Sequence, residues 1–221
     1  MEIRILYNPA MDELSEEYIS AHCPHCDSAA EALTYLLEET DNFRIVCGVH
    51  PVTEGHILII PKSHLSCIGE YPEDVYKEFL TLYQKVSDYL LKEYGSVSSF
   101  EHGKFGQTVF HSHIHLLPFK GDLEAIIPEG KEKVTSINNL SELKRIFKKH
   151  SGYLFFSIGG DKWVVDVSLI VPRFFRDRFA KELGKPERGN WKEMHLRENG
   201  NSEPELEVKR VAAKWKKDNE K

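Results

Sequence analysis

Residues 106–118 read GQTVFHSHIHLLP, and His111, His113 and His115 stand in this stretch at every second position. The segments 97–101 and 107–117 read as two strands joined by a glycine-containing turn. Side chains alternate between the two faces of a strand, so the three imidazoles are expected on one face and Ser112, Ile114 and Leu116 on the other. Same-face neighbours then lie roughly 7 Å apart and the outer pair roughly 13 Å apart. One metal ion can hold adjacent histidines at that spacing but not easily all three. At least one ring is therefore expected to have another task.

Working outward, Cys23-Pro24-His25-Cys26 is a C-x-x-C pair. Two thiolates at that spacing can bite a zinc ion from one turn, and a tetrahedral site then needs two further ligands, for which histidines are the available donors. A redox pair of this kind normally opens a helix after a strand in a βαβ context, and no such context is seen. His22, His25 and His50 read as surface or turn residues, Cys47 and Cys67 as small core residues. Nine of the eleven histidines fall between His22 and His115, so the chemistry is concentrated in the first half of the chain.

Around these motifs, the segments 43–49 (FRIVCGV) and 55–61 (GHILIIP) are short and β-branched, which favours strands. Residues 72–94 carry Val75, Phe79, Leu82, Val86 and Leu90 at helical spacing, with Pro72 in the first turn and Gly95 just beyond the end. A shorter helix is expected over 29–37. Later, 153–158 and 162–170 flank Gly159-Gly160-Asp161 as a hairpin, and 172–183 fits a helix ended by Gly184. From Lys185 onward the chain is heavily charged. Only Val208, Val211, Ala212 and Trp215 suggest an amphipathic helix there, so this tail is expected to pack partially or not at all.

The 221 residues are 41% hydrophobic, enough for a packed core, and carry a formal charge of −6, which disfavours a nucleic-acid coat. No leader pattern opens the sequence and no apolar run is long enough for a membrane span. A cytoplasmic protein with no membrane or nucleic-acid partner is expected. The fold class is α+β, with mostly consecutive antiparallel strands.

His111-Ser112-His113-Ile114-His115-Leu116-Leu117, preceded by GQT and by GHILIIPKSH at 55–64, resembles the histidine triad (HIT) superfamily. The resemblance covers about residues 23–118, and VPRFFRDRFAKELG resembles a C-terminal extension of some members. It implies an antiparallel sheet of about five strands with packed helices, usually paired into a homodimer. A HIT domain over 1–125 would then be followed by an extension over 126–221 holding the hairpin, a helix and the charged tail. It further implies a nucleotide-conjugate hydrolase, acting on a nucleoside phosphoramidate, acyl-nucleotide or dinucleoside polyphosphate and releasing a nucleoside monophosphate.

On this resemblance His113 is the nucleophile at the α-phosphorus. His115 and Thr108, with Gln107, hold phosphoryl oxygens, His56 orients the histidine network, and Phe43 and Ile45 wall the base pocket. Cys23, Cys26, His64 and His111 match the ligands of a structural zinc. Two positions depart from the family pattern. Gly48 stands where many members carry an Asp that meets the ribose. Glu101 replaces an Asn or Gln that meets phosphate, and is expected to read a different leaving group. A histidine at 115, where transferase and phosphorylase branches carry Gln, favours hydrolysis. The alternatives are a nucleotidyltransferase or phosphorylase, a zinc-stabilised nucleotide-binding module without turnover, and an enzyme acting on adenylated nucleic-acid ends.

Overall fold

The computed structural model describes residues 23–194 and 202–219. The first 22 residues, His22 among them, lie outside the described residues. Eight strands form one sheet: β1 (Leu36–Glu39), β2 (Phe43–Cys47), β3 (Ile57–Pro61), β4 (Ser98–Gly103), β5 (Ile114–Leu117), β6 (Val134–Ser136), β7 (Tyr153–Ile158) and β8 (Asp161–Val165). Their order is β1-β2-β3-β5-β4-β7-β8-β6, with every neighbouring pair antiparallel. The longer helices are α1 (Glu73–Tyr94), α2 (Glu142–His150), α3 (Phe174–Glu182) and α4 (Glu203–Asn219).

Strand periodicity divides the core in two. Phe43, Ile45, Cys47, Ile57, Ile59, Ile114, Leu116 and Phe155 point to one face and pack with Val75, Phe79, Val86 and Leu90 of α1. Residues Val208, Val211 and Trp215 of α4 complete this cluster. On the other face Phe100, Leu117, Leu154 and Phe156 meet Phe174, Phe175 and Phe179 of α3. The sheet is thus buried on both sides over its centre, and β3 is buried at every position.

The fold class is α+β as expected, but the sheet has eight strands where about five were expected. The hairpin of residues 153–165 continues the same sheet, because β7 pairs with β4 in register from Ser98↔Ile158 to Gly103↔Tyr153. The second strand of that hairpin is shorter than the expected 162–170: it stops at Val165 and a 3-10 turn, Val167–Leu169, follows. The helix expected over 29–37 is a 3-10 turn, Glu31–Leu33, followed by edge strand β1. The expected strand over 107–117 is extended only from Ile114. Before it, the Ser112 amide donates to Leu65 O at 2.6 Å and His111 Nε2 meets Pro61 O at 2.7 Å, so the backbone is held by loop contacts instead of a ladder. The tail expected to pack loosely forms α4, with Trp215 only 3% exposed and its ring edge-on to Tyr89 at 4.8 Å. No helix among the described residues is long and apolar enough to cross a membrane.

Candidate active site

One candidate ligand group lies beside the loop that leads into β5. Single ligand atoms of Cys23, Cys26, His64 and His111 all lie within 4.8 Å of one another. His111 Nδ1 is 3.4 Å from both sulfurs, and His64 Nδ1 is 3.3 Å from Cys26 Sγ. With metal–sulfur and metal–nitrogen bonds of about 2.3 and 2.0 Å, the edge of a tetrahedron is roughly 3.5 Å, which these separations approach. The protonation pattern also fits. Pro61 O can only accept, so His111 donates from Nε2 and offers its Nδ1 lone pair to the cluster. Burial pushes the Cys23 thiol up to about 11, so a thiolate there needs a cation beside it. The four residues could hold a metal ion.

On the α3 side of the sheet a cleft of about 210 Å³ is lined by His56, His102, His113 and His115 together with Gln107, Thr108 and residues of the C-terminal part. His115 stands on β5 between Leu58 of β3 and Phe100 of β4, and its ring stacks on Phe100 at 4.2 Å. Its tautomer follows from a chain of hydrogen bonds. The Val52 N–H donates to His56 Nδ1 at 3.1 Å, so His56 carries its proton on Nε2 and donates to His115 Nδ1 at 2.8 Å. His115 is left with its proton on Nε2. His113 is fixed separately: its Nδ1 donates to His111 O at 2.7 Å, which leaves the lone pair on Nε2. The rings of His113 and His115 are 4.9 Å apart and nearly perpendicular. Burial lowers His113 to about 4 and holds His56 and His115 well below the usual imidazole range, so all three are neutral near pH 7.

Strand parity sorts the remaining expectations. Phe43, Ile45 and Glu101 do not wall the cleft: they face α1, on the other side of the sheet. Phe43 packs near Phe79. Glu101 accepts from Ile68 N at 3.0 Å, Ser112 Oγ at 2.9 Å and Tyr153 Oη at 2.5 Å. Gln107 and Thr108 do line the cleft. Gln107 Nε2 donates to Ser66 O, while its Oε1 is buried without a partner, and Thr108 Oγ1 accepts from Trp191 Nε1 at 3.4 Å. Gly48 is also at the wall, where a Cβ would come within 3.0 Å of Leu58. His25 sits in a turn, as expected, but is buried there and lies edge-on to His113 at 4.9 Å.

Among the wall residues that sequence reasoning missed are His102, Arg173, Arg176 and Trp191. His102 follows Glu101 by one position and therefore faces the cleft, a signal that strict alternation contained. Arg173, Arg176 and Trp191 come from the extension, and nothing in their spacing indicated a site. They reach it because α3 covers the histidine-bearing face, with Phe175 and Phe179 packed 5.4 and 5.3 Å from Phe100. Gly106, at φ +70, lets the turn before Gln107 press on this cover: a Cβ would stand 2.8 Å from Val171 O.

A family model described as "HIT domain" matches residues 29–122. An uncharacterized HIT-like protein of Borreliella burgdorferi is 30% identical over 99 residues, 42% of this chain and 71% of that protein. The chain belongs to the HIT family. Its match with adenylylsulfatase HINT3 of Arabidopsis thaliana is 34% identical over 89 residues, 38% of this chain and 45% of the relative. It thus spans about half the length of that HIT protein. Adenosine 5'-monophosphoramidase HNT1 of Candida albicans is 25% identical over 138 residues, 58% of this chain and 91% of the relative.

Proposed function

We propose that this HIT protein is a nucleotide-conjugate hydrolase in which His113 attacks the α-phosphorus and a nucleoside monophosphate is released. The observation that carries the reading is the pair of fixed tautomers: His113 presents a lone pair on Nε2 and its neighbour His115 presents a proton on Nε2. A nucleophile and a donor on adjacent rings are what phosphoryl substitution needs. The names of the Arabidopsis and Candida relatives, an adenylylsulfatase and a monophosphoramidase, support the same class.

In this reading the bond from His113 Nε2 to phosphorus forms as the bond to the leaving group breaks, giving a nucleotidyl-imidazolium. Water then adds to phosphorus, the P–N electron pair returns to Nε2, and the proton of the water passes to solvent. His115 Nε2–H and the hydroxyl of Thr108 donate to the phosphoryl oxygens as charge develops. His56 acts through His115, holding its tautomer. Gln107 Oε1 is an acceptor and so suits a substrate hydroxyl or amine better than a phosphate oxygen. The apolar wall of Ala32, Val49, Leu58 and Ile60 takes the place assigned to Phe43 and Ile45 as the base pocket.

Cys23, Cys26, His64 and His111 would hold a structural zinc, a closed four-ligand site that ties the loop of His111 to the C-x-x-C turn. A homodimer in the cytoplasm and a domain boundary near residue 125 belong to the same reading. The test is release of monophosphate from a panel of adenosine and guanosine conjugates. His113→Ala and His113→Asn should lower kcat by on the order of 10³-fold or more with nucleotide affinity largely kept. Near-parental turnover in both would refute the assignment.

A further inference from the structure

Arg176 is 8% exposed and belongs to α3, yet among the described residues no carboxylate forms an ion pair with it. Its Nε donates to Gly189 O at 3.2 Å, and its Nη2 donates to His50 O at 2.9 Å and Arg188 O at 3.0 Å. Three backbone carbonyls thus fix the guanidinium plane without neutralising it. The acidic group whose charge acts on it, Asp177, is half exposed and is already paired with Arg173 at 3.4 Å. Nη1 has no hydrogen-bond partner among the described residues, and Arg176 lines the cleft. The charge is close enough to the histidines to bear on His56, His102, His113 and His115. A buried cation is costly unless an anion meets it. Arg173 stands beside it on the cleft wall, held at φ +61, a strained conformation for a residue other than glycine. The one carboxylate on the wall, Glu31, is exposed.

The α-phosphate already has its donors in His115 and Thr108. The remaining anion of a nucleotide conjugate is its leaving group. Resting on the hydrolase reading, we infer that Arg176 is a specificity-determining residue that receives an anionic leaving group, a tetrahedral sulfate or phosphate joined to the α-phosphorus. With Nε and both N–H groups of Nη2 committed to carbonyls, the two N–H donors of Nη1 remain for oxygens of such a group. Chemically the match is selective. When the P–O bond breaks, sulfate or phosphate departs with the electron pair as an anion and needs no proton, so a fixed positive charge stabilises its departure. An amine leaving from a phosphoramidate must instead take up a proton, and a guanidinium does not help it leave. The C-terminal part, outside the matched residues 29–122, would thereby set which conjugates are hydrolysed.

The full chain and its Arg176→Gln and Arg176→Lys variants are compared on adenosine 5'-phosphosulfate, ADP and adenosine 5'-phosphoramidate, which share the α-phosphate and base. The ratio of kcat/KM for an anionic conjugate to that for the phosphoramidate is independent of how much of each preparation is folded. Arg176→Gln should lower the ratio on the order of 100-fold, and Arg176→Lys less, since it keeps the charge but loses the carbonyl-pinned plane. A fall confined to the phosphosulfate identifies sulfate as the group, and a fall confined to ADP identifies phosphate. An unchanged ratio, with all three substrates falling together, makes Arg176 a structural tie or an α-phosphate ligand and overturns the inference. Parental turnover of the phosphoramidate alone overturns it while sparing the hydrolase reading. If the parent turns over none of the three, the hydrolase reading fails. The anion site is then judged by equilibrium titration: an affinity for adenosine 5'-phosphosulfate over AMP that disappears in Arg176→Gln supports it, and equal affinities reject it.

Discussion

Glu101 lies between Phe100 and His102, both of which face the histidine cleft, while its own carboxyl points through the sheet toward α1. There it meets Ile68 N–H and the hydroxyls of Ser112 and Tyr153, and burial pushes it up from 4.5 to about 7. Matching by motif assigned Glu101 to the leaving group, where parity alone assigns His102 to the cleft. A raised carboxyl means that the folded state holds a proton the unfolded chain has lost between about pH 4.5 and 7. Its contribution to stability is therefore full below pH 4.5 and is lost as pH rises through 7. Glu101→Gln mimics the protonated form, so urea midpoints of the variant should gain on the parent as pH rises from 4.5 to 7 and level off above. A difference that stays constant with pH would place the carboxyl in its ordinary range.

Elements with dense apolar periodicity were legible. The helix expected over 72–94 is α1 within one residue, and Gly95 caps it at φ +71. The strands expected at 43–49 and 55–61 are β2 and β3. What failed were elements whose state depends on distant partners. Leu36 and Leu37 suit a helix locally, but pairing with β2 draws them into an edge strand, with a register shift between Leu36 and Glu38. The charge of the tail hid the reach of α4, whose Val208, Val211 and Trp215 enter the main core while Arg210 and Lys214 pair with Glu54. Trp215→Ala should accordingly cost about 3–5 kcal/mol, read as a lowered denaturation midpoint of the full chain. A loss below about 1 kcal/mol, the scale of a surface substitution, would mean that α4 does not dock as described.

At the scale of the whole molecule, the family half and the extension share one sheet and one cleft. The histidine motif and C-x-x-C pair could be read from sequence because their members are close in the chain. The cover formed by Arg173, Arg176 and Trp191 could not, since only the pairing of β7 with β4 and the packing of α3 on Phe100 bring residues 170–191 over the histidines. The candidate ligand group joins residues 88 positions apart, so zinc bound there should stabilise the entire fold. Protein purified without added zinc should carry close to one zinc per chain, and chelation or Cys23→Ser should lower its melting temperature by several degrees. Metal-free protein whose melting is insensitive to both treatments would rule the site out. The central claim is that the His113 ring itself takes the nucleotide, and it is tested most directly by rapid quenching of the full chain with a conjugate labelled at the α-phosphate. Transient label should appear on His113, survive alkali and be lost in acid as a phosphoramidate requires, and be absent in His113→Ala. A labelled adduct of equal yield in that variant, or turnover by the parent with no adduct at any time point, would contradict the account.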